Sequence, residues 1–338
     1  METSRRAPAG HVPGSRHLVH RPRYFGPQQA DGPDDRTQEF VLTGELPTGH
    51  PLYNDGHDRF HDLLAAMAMV RQVGGGIGQA HFGVAADRTP IFYRFGLETH
   101  DVGAWRRHAG PGTLTVTMRV RPDKVIAGVP RALEFDTRLE IDGVAAGSGS
   151  ASLLLLAPMA HHNHREHSRH AALAAAARSP RHPQHPEDAG QDDAVHDGPG
   201  PAPTEVGRAS PANVLLRTPV TVDGHRLSAT VLAPSGWPST LVQGDAASSS
   251  VLLLEVVRQT ALLAAQRLHG LDPRHCAPVA LHAHFRGHAE PDLPLRCVAL
   301  AQPVRQDALG RTLVSLTLAL SQAGRAVTEA TVSVVEDL

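Results

Sequence analysis

A motif that occurs twice constrains the fold of this chain more than any other feature. The stretch AAMAMVRQVGGGIGQAHFG covers residues 65–83, and LLLEVVRQTALLAAQRLHG covers residues 252–270. Each contains Arg-Gln followed by ten residues and a glycine, and every matched position of the second stretch lies 187 residues after the first. Such constant spacing indicates that the chain contains two copies of one structural unit.

The two halves also share the order of their elements. In each half, a strand-like stretch precedes the apolar Arg-Gln helix, and segments of alternating apolar and polar residues follow it, such as TLTVTM at 113–118. Alternation with a period of two predicts half-buried strands. Asp142-Gly143 and Ala323-Gly324 predict hairpin turns at matching places. A helix this apolar needs a sheet wrapped around it, so the sequence predicts an α+β fold with internal duplication.

Composition places the boundary between the two copies. Residues 159–211 are rich in Pro, Ala, His and Asp and poor in aliphatic residues. This predicts a flexible linker, in which only HAALAAAAR could form a short helix. Residues 1–16 are polar and proline-rich, and we expect them to be disordered. The folded repeats are then residues 17–158 and residues 212–338.

The linker also carries a run of histidines that could be taken for a metal site. Spacings of three or four residues could place some of them on one helix face, but a mobile linker rarely fixes the geometry that a metal needs. His282 and His284 alternate along a predicted strand, and no carboxylate spacing accompanies them. We therefore expect no bound metal. We expect the linker to be a solvent-exposed tract of low complexity, and its histidines are His161, His162, His164, His167 and His170.

Charge and cysteine content exclude several classes of protein. The formal net charge is −2, which gives no global attraction to nucleic acid or to an anionic membrane. Cys276 and Cys297 form neither a CxxC motif nor a disulfide framework, which favours a reducing cytoplasm. The first residues, METSRRAPAG, lack the apolar core of a signal peptide, and no run of about 18 apolar residues predicts a membrane span.

Glu255 and Arg258 are the candidate catalytic residues of the second motif. They are three positions apart, so they share one face of a helix that is otherwise aliphatic. A carboxylate among aliphatic side chains has a raised pKa unless the arginine offsets it. Such a group could take a proton from an attacking hydroxyl while the arginine holds a phosphate or an oxyanion. The alternative is an ion pair that ties the helix to the sheet or to the other helix.

The first motif offers no such carboxylate, because Ala68 occupies the position that Glu255 has in the second. Arg71 could bind a phosphate or pair with an acid from the other half. Gln72 and Gln259 are candidate substrate-binding residues that could orient a carbonyl, and their alternative role is structural, as strand caps.

Residues before the two helices complete the set of candidates. His61 could act as a general base in place of the missing glutamate, and Asp62 is predicted to cap the helix. Ser248, Ser249 and Ser250 have no GxSxG motif around them, so a serine hydrolase is poorly supported. GGGIG at 74–78 fits neither a dinucleotide-binding motif nor a P-loop.

Together these motifs resemble the A-factor biosynthesis family, the AfsA-type synthases of γ-butyrolactone signals. The first half is similar to the family's first repeat, and LVHRPRYF at 18–25 is similar to the Val-His start of that repeat. The second half is similar to the Glu-x-x-Arg-Gln pattern of the second repeat. The matching residues are His61, Asp62, Arg71, Gln72, Phe82, Gly83 and Val84, followed by Glu255, Arg258 and Gln259.

The resemblance implies a double hotdog fold and an acyl transfer. Family members move a β-ketoacyl group from a carrier-protein thioester to dihydroxyacetone phosphate, and the ester then closes to a butenolide phosphate without a metal or redox cofactor. The resemblance implies roles for Glu255 and Arg258, whereas Ala68 departs from the family's first-repeat glutamate. We expect an acyltransferase that takes an acyl carrier protein or coenzyme A thioester in a tunnel between the two helices, and a small phosphorylated alcohol as acceptor.

Two other functions stay open at this stage. A hotdog thioesterase or dehydratase would need a placed water or a base beside the α-carbon of the substrate, for which His61 is the candidate. A non-catalytic ligand binder or regulator is favoured by Ala68. The sequence also leaves open a homodimer, and it gives no reason to expect a nucleic-acid or membrane partner.

Overall fold

A computed structural model describes residues 20–29, 36–46, 53, 55, 59–108, 110–178, 200–232, 247–290 and 292–337. The chain divides into two compact units, which are Met1–Asn54 with Asp58–Pro158 and Asp55–His57 with Met159–Leu338. The predicted disordered segment at residues 1–16 lies outside the described residues. So do residues 179–199 of the predicted linker.

The first unit is one long helix and an antiparallel sheet. Its strands pair in the order β1-β2-β4-β5-β6-β3, and a short 3-10 turn at Val102–Trp105 follows β3. The elements are β1 (His20–Gln29), β2 (Gln38–Leu46), α1 (Leu63–His81), β3 (Thr89–Thr99), β4 (Gly112–Asp123), β5 (Ala132–Ile141) and β6 (Val144–Leu156). The predicted alternation is confirmed in β4, where Leu114, Val116 and Met118 are buried while Thr113, Thr115 and Thr117 face outward.

The second unit repeats this order of elements. Its strands pair antiparallel in the order β9-β13-β12-β10-β8-β7, and β11 adds to β12. The elements are α2 (Pro158–Arg178), β7 (Leu216–Asp223), β8 (Arg226–Val231), α3 (Ala247–His269), β9 (Cys276–Phe285), β10 (Leu295–Ala301), β11 (Arg305–Gln306), β12 (Thr312–Gln322) and β13 (Arg325–Glu336). Short 3-10 turns at Pro203–Val206 and Pro211–Asn213 precede β7.

The hairpin turns of the two units confirm the duplication. Asp142 and Gly143, between β5 and β6, have φ angles of 51° and 81°. Ala323 and Gly324, between β12 and β13, have φ angles of 48° and 74°. Two successive residues with positive φ match the right-handed twist of the flanking strands, so each turn closes a tight hairpin.

The two long helices are buried over much of their length because most of their residues are apolar. Each residue from Leu63 to Val70 in α1 is buried, and so is each residue from Val251 to Ala265 in α3. Asp62 caps α1 as predicted, since its carboxylate accepts a hydrogen bond from the backbone N–H of Leu64 at 3.0 Å. Each unit is therefore an apolar helix packed against its own antiparallel sheet.

The prediction of a flexible linker is wrong for residues 159–178, which lie in the 21-residue helix α2 and not only in a short helix over HAALAAAAR. Polar contacts, which hydropathy does not detect, hold this helix to the second unit. Arg165 donates two hydrogen bonds to the carboxylate of Glu290, at 2.8 and 3.3 Å, and Glu290 is 0% exposed. Arg325 donates to the hydroxyl of Ser168 at 3.1 Å. Residues 200–211, also assigned to the linker, include the first of the two 3-10 turns.

Two neighbouring glycines of α1 have different surroundings. A Cβ atom at Gly74 would lie 2.7 Å from Cζ of Phe92. That ring is fixed by Phe95 and Phe135, with ring centroids 4.7 and 5.9 Å away. A Cβ atom at Gly76 would meet no heavy atom of the described residues within 4 Å. Glycine is thus required by packing at position 74 but not at position 76.

We expect opposite effects from Gly74→Ala and Gly76→Ala. Gly74→Ala should lower the free energy of unfolding by about 1–3 kcal/mol, because the methyl group overpacks against Phe92. Gly76→Ala should raise it by up to about 1 kcal/mol, because alanine is the better helix former and has room. Urea unfolding of both variants beside the unaltered protein measures the difference. Equal effects of the two substitutions would contradict the packing described for Gly74.

Candidate functional site

The second Arg-Gln motif places three polar side chains inside the second unit. Glu255, Arg258 and Gln259 lie on one face of α3, and all three are buried. Glu255 is 0% exposed, so its carboxylate has no access to water. A charge in such a place must be compensated by partners with good geometry. The structure therefore has to supply those partners within the second unit.

Two arginines from different parts of the chain donate hydrogen bonds to the Glu255 carboxylate. Arg208 donates from Nε to Oε1 at 2.8 Å and from Nη2 to Oε2 at 2.6 Å. Arg258 donates from Nε to Oε2 and from Nη2 to Oε1, both at 2.9 Å. Gln259 adds a bond from Nε2 to Oε1 at 2.6 Å. We call Arg208, Glu255, Arg258 and Gln259 the carboxylate clamp.

This arrangement decides the charge of Glu255. Burial alone would raise the pKa of the carboxyl group, but the charges of Arg208 and Arg258 and their hydrogen bonds outweigh it and lower the pKa to about 2. Glu255 is consequently ionised at neutral pH, and its oxygens are already occupied by donors. Of the two roles considered for Glu255, this geometry favours the ion pair over the proton acceptor.

The clamp also fastens the segment of residues 203–215 to α3. Gln259 donates from Nε2 to the Asn213 carbonyl at 2.6 Å, and its Oε1 accepts from the Leu215 N–H at 2.9 Å. Asp55 supports the same segment, since its carboxylate accepts hydrogen bonds from the Ser210 N–H and from Nδ2 of Asn213. Gln259 therefore has a structural role here, which was the alternative to substrate binding.

Gly207 lets this segment approach the helix closely. Its φ is 64°, and a Cβ atom there would lie 2.7 Å from Cδ1 of Leu262. The carbonyls of Val206 and Gly207 accept from Nη2 of Arg258 at 3.2 and 3.4 Å. Nη1 of Arg258 makes no hydrogen bond to any residue that the structure describes, and this side chain keeps 7% exposure. Among the described residues, that nitrogen is therefore the guanidinium nitrogen of Arg258 that the clamp does not use.

Arg208 is the member of the site that the sequence analysis missed. It lies 47 positions before Glu255, in a segment whose composition predicted a linker, and it is 1% exposed. A signal was nevertheless present in the repeat. Val206-Gly207-Arg208 lies 187 residues after Val19-His20-Arg21, the same spacing as between the two Arg-Gln motifs. Extending the repeat towards the N-terminus would have singled out Arg208.

The first motif differs from the second at the position of the clamp carboxylate. Ala68, at the position of Glu255, is 1% exposed and packs in the apolar core. Burial lowers the pKa of the Arg71 guanidinium, although Tyr53 opposes the effect. Oε1 of Gln72 is buried and has no hydrogen-bond partner in the described part of the chain. Substrate binding by Arg71 and Gln72 stays a prediction.

His61 lies at the start of α1, where it is 5% exposed. Its backbone N–H donates to the Trp105 carbonyl at 2.8 Å, and Gly112 leaves room for its ring. Burial lowers the pKa of His61 to about 4, and Arg107 and His108 add to this effect, while Asp142 opposes it. The imidazole is thus neutral at pH 7 and a weak proton acceptor.

The histidines of α2 lie beside another histidine of the second unit. The rings of His161 and His164 have centroids 6.5 and 5.4 Å from that of His288. Burial lowers the pKa of His288 to about 4, and nearby Arg165 contributes to the effect. Among the described residues, no group of three or more His, Cys, Asp or Glu side chains is arranged to hold a metal ion. In the same part of the chain, no helix is long and apolar enough to cross a membrane.

Two units, each with a long buried helix packed on an antiparallel sheet, make this chain a tandem hotdog protein. Residues 201–335, which include α3 and the clamp, match the model of the A-factor biosynthesis hotdog domain family. None of the curated proteins matches the chain.

Several solved structures are similar to the chain over most of its length. The 12:0-ACP thioesterase from Umbellularia californica is 10% identical, covers 87% of this chain and 93% of its own, and has a TM-score of 0.44. An acyl-CoA thioesterase II from Mycobacterium marinum is 14% identical, with coverages of 88% and 92% and a TM-score of 0.39. The bifunctional dehydratase-cyclase domain of ambruticin biosynthesis is 16% identical, with coverages of 96% and 96% and a TM-score of 0.43.

Removing one member of the clamp should destabilise the second unit strongly. Arg208→Met leaves the buried Glu255 carboxylate with one guanidinium instead of two, so we expect a loss of about 3–5 kcal/mol in the free energy of unfolding. Arg274→Ala is the matched control, because Arg274 also pairs with a carboxylate, that of Asp272, but at the surface. We expect that control to change the free energy by less than about 1 kcal/mol. Urea unfolding compares the two, and similar small losses would contradict a structural clamp.

The clamp should also make stability depend on acid pH. Because the folded-state pKa of Glu255 is lowered from 4.5 to about 2, its stabilising contribution is complete above about pH 4.5 and is lost as the pH falls towards 2. Glu255→Gln has no carboxyl group to titrate, so its free energy of unfolding should fall less over this interval. Urea midpoints of both proteins between pH 6 and about pH 2.5 measure the difference. Parallel pH curves for the two proteins would show that Glu255 has an ordinary pKa.

Proposed function

We propose that the protein is an acyltransferase that moves an acyl group from a carrier-protein or coenzyme A thioester to a small phosphorylated alcohol. The observation that carries the proposal is the carboxylate clamp, whose Glu255-x-x-Arg258-Gln259 motif lies in a segment that matches the A-factor biosynthesis hotdog family. Dihydroxyacetone phosphate is the proposed acceptor and a β-ketoacyl chain the proposed donor. The product would enter γ-butyrolactone-type signal or secondary-metabolite biosynthesis in the cytoplasm.

Arg258 is the residue that we assign to the reacting substrate. Nε and Nη2 of its guanidinium are held by Glu255, so Nη1 keeps a fixed position without rearrangement during the reaction. A guanidinium in a buried site stabilises a developing oxyanion or binds a phosphate much more strongly than it would in water. In the proposed step, the hydroxyl oxygen attacks the thioester carbonyl, the C–S bond breaks and the hydroxyl proton ends on the leaving thiol.

Glu255 then acts as a positioning residue. Its two bonds to Arg258 hold the guanidinium in one orientation, and its negative charge offsets one of the two buried positive charges. A carboxylate that already accepts hydrogen bonds from three side chains is a poor base. Loss of Glu255 should therefore act on the reaction through Arg258, and not through removal of a proton acceptor.

The test is acyl transfer by the purified protein, followed by mass spectrometry. A β-ketoacyl thioester and dihydroxyacetone phosphate should give an acyl ester or a butenolide phosphate. Arg258→Gln should slow this reaction about 100-fold or more, which is typical for loss of one oxyanion-binding donor. Arg286→Gln, at an exposed arginine of the same unit, is the matched control and should keep the rate. A wild-type protein that forms no acylated acceptor would overturn the acyltransferase assignment.

A non-catalytic ligand binder is the second candidate. The observation in its favour is that neither Arg-Gln helix presents an uncommitted carboxylate at the motif position in the described residues, since Ala68 is apolar and Glu255 is held by three side chains. The same experiment separates the candidates. Release of free acid would indicate a thioesterase, and binding of the thioester without any reaction would indicate the binder.

A further inference from the structure

Asp55 belongs to the first half of the sequence but to the second compact unit. That unit consists of Asp55–His57 together with Met159–Leu338. Asp55 precedes α1 and lies 153 positions before Arg208. It is half-buried, and it lies outside residues 201–335, the segment that matches the A-factor biosynthesis hotdog family. The second unit therefore includes a residue from outside the second repeat.

Three residues of the segment before β7 donate hydrogen bonds to Asp55. Its backbone carbonyl accepts from Nη1 of Arg208 at 3.3 Å. Both oxygens of its carboxylate accept from the Ser210 N–H at 3.2 Å, and Oδ2 also accepts from Nδ2 of Asn213 at 2.5 Å. A carboxylate makes shorter and stronger hydrogen bonds than a neutral acceptor does. One side chain thus fixes two positions of the segment.

The contacts of Asp55 complement those that come from α3. Two clamp residues on α3 bind backbone groups near the two ends of residues 206–215. Asp55 binds the side chain of Arg208 and the N–H of Ser210, which lie between those ends. The segment is therefore held to α3 at its ends and to Asp55 in its middle.

Arg208 connects Asp55 to the arginine that we assign to the substrate. Its Nη1 donates to the Asp55 carbonyl, while its Nε and Nη2 donate to Glu255. Glu255 in turn accepts from Nε and Nη2 of Arg258. Hydrogen bonds in such a buried network strengthen one another, so the loss of one anchor loosens the others. Without its carboxylate, residue 55 would keep its carbonyl but lose the bonds that fix where the carbonyl lies.

The same segment also borders the unused nitrogen of Arg258. A Cβ atom at Gly207 would lie 3.2 Å from Nη1 of Arg258. A small displacement of the segment would therefore change the space that a ligand has beside this nitrogen. Misplacement of a catalytic group by about 1 Å can cost about 100-fold in rate.

We propose that Asp55 is a positioning residue for the ligand site at Nη1 of Arg258. This inference rests on the proposed function, because Nη1 is the nitrogen that would hold the oxyanion or the phosphate in that reaction. In this role Asp55 neither touches the substrate nor moves a proton. It holds the segment that carries Gly207 and Arg208, and it thereby sets the orientation of the Arg258 guanidinium. The site of the second repeat is then completed by the first half of the chain.

The experiment is a double-mutant cycle between Asp55→Ala and Arg258→Gln. The readout is kcat/KM for transfer from a β-ketoacyl pantetheine thioester to dihydroxyacetone phosphate. We expect Asp55→Ala to lower kcat/KM about 10-fold in the otherwise unaltered protein, and less than about 2-fold in the Arg258→Gln background. A general loss of folded protein would lower both backgrounds equally. An equal effect in both backgrounds, or no effect in either, would overturn the positioning role.

Asp307→Ala is the matched control. The Asp307 carboxylate also accepts backbone bonds in the second unit, from the N–H groups of Leu309 and Arg311, both at 2.9 Å. We expect this control to change kcat/KM less than about 2-fold, because it leaves the clamp intact. If Asp55→Ala does not fold, Asp55→Asn takes its place, since it keeps the shape of the side chain and one acceptor oxygen. We expect about a 3-fold loss from Asp55→Asn, again only where Arg258 is present.

A spectroscopic measurement separates this inference from the proposed function. The Nε–H signal of Arg258 in the NMR spectrum of arginine-labelled protein is identified by its absence from Arg258→Gln. This hydrogen should exchange slowly with solvent, because Nε donates to the buried Glu255. We expect Asp55→Ala to speed the exchange about 10-fold or more, and Asp307→Ala to change it less than about 2-fold.

The two measurements apply to different outcomes of the acyl-transfer assay. Where acyl transfer is measurable, the kinetic cycle decides. If the unaltered protein transfers no acyl group, the proposed function fails and the exchange rate alone decides whether Asp55 positions Arg258. An unchanged exchange rate in Asp55→Ala would then refute the inference.

Discussion

The buried carboxylate of Glu255 is the interaction on which the second unit depends. A carboxylate with no exposure is costly to bury, and a single arginine offsets that cost only with excellent geometry. Here two guanidiniums each donate two hydrogen bonds, which satisfies both the charge and the oxygens. One guanidinium belongs to α3 and the other to the segment before β7. The ion pairs therefore connect that segment to the helix through side chains. The position of residues 203–215 follows from this arrangement.

The two copies of the motif have diverged in a physically consistent way. Where α3 carries Glu255, Leu262 and Leu263, the corresponding positions of α1 carry Ala68, Gly75 and Gly76. The second helix thus has a carboxylate to bind an arginine and leucines to fill the core. The first helix has neither, and its Gly74 packs against an aromatic cluster instead.

The sequence predicts the fold better than it predicts the site. The patterns that define the fold join residues close together in sequence, whereas the site also needs a residue from a distant part of the chain. Alternating strands, an apolar helix and the Asp62 cap are local patterns, and the repeat shows that they occur twice. Glu255, Arg258 and Gln259 are also local, because helical spacing puts them on one face. Arg208 reaches them only through the tertiary fold, from a segment whose composition is typical of a linker. The helix α2 was missed for a related reason, since charged contacts with Glu290 replace the apolar face that a sequence pattern can show.

The clamp also shows how a structural ion pair and the proposed ligand site would share one residue. Within the clamp, one carboxylate balances two guanidiniums, so one positive charge remains inside a mostly apolar unit. Arg208 and Gln259 donate hydrogen bonds to backbone carbonyls of neighbouring segments. Nη1 of Arg258 makes no such bond to the described residues. A cation fixed in this manner is oriented before any ligand arrives, and it does not have to reorganise when negative charge develops beside it. The rigidity that stabilises the fold is then the same rigidity that would make Arg258 effective towards an anion.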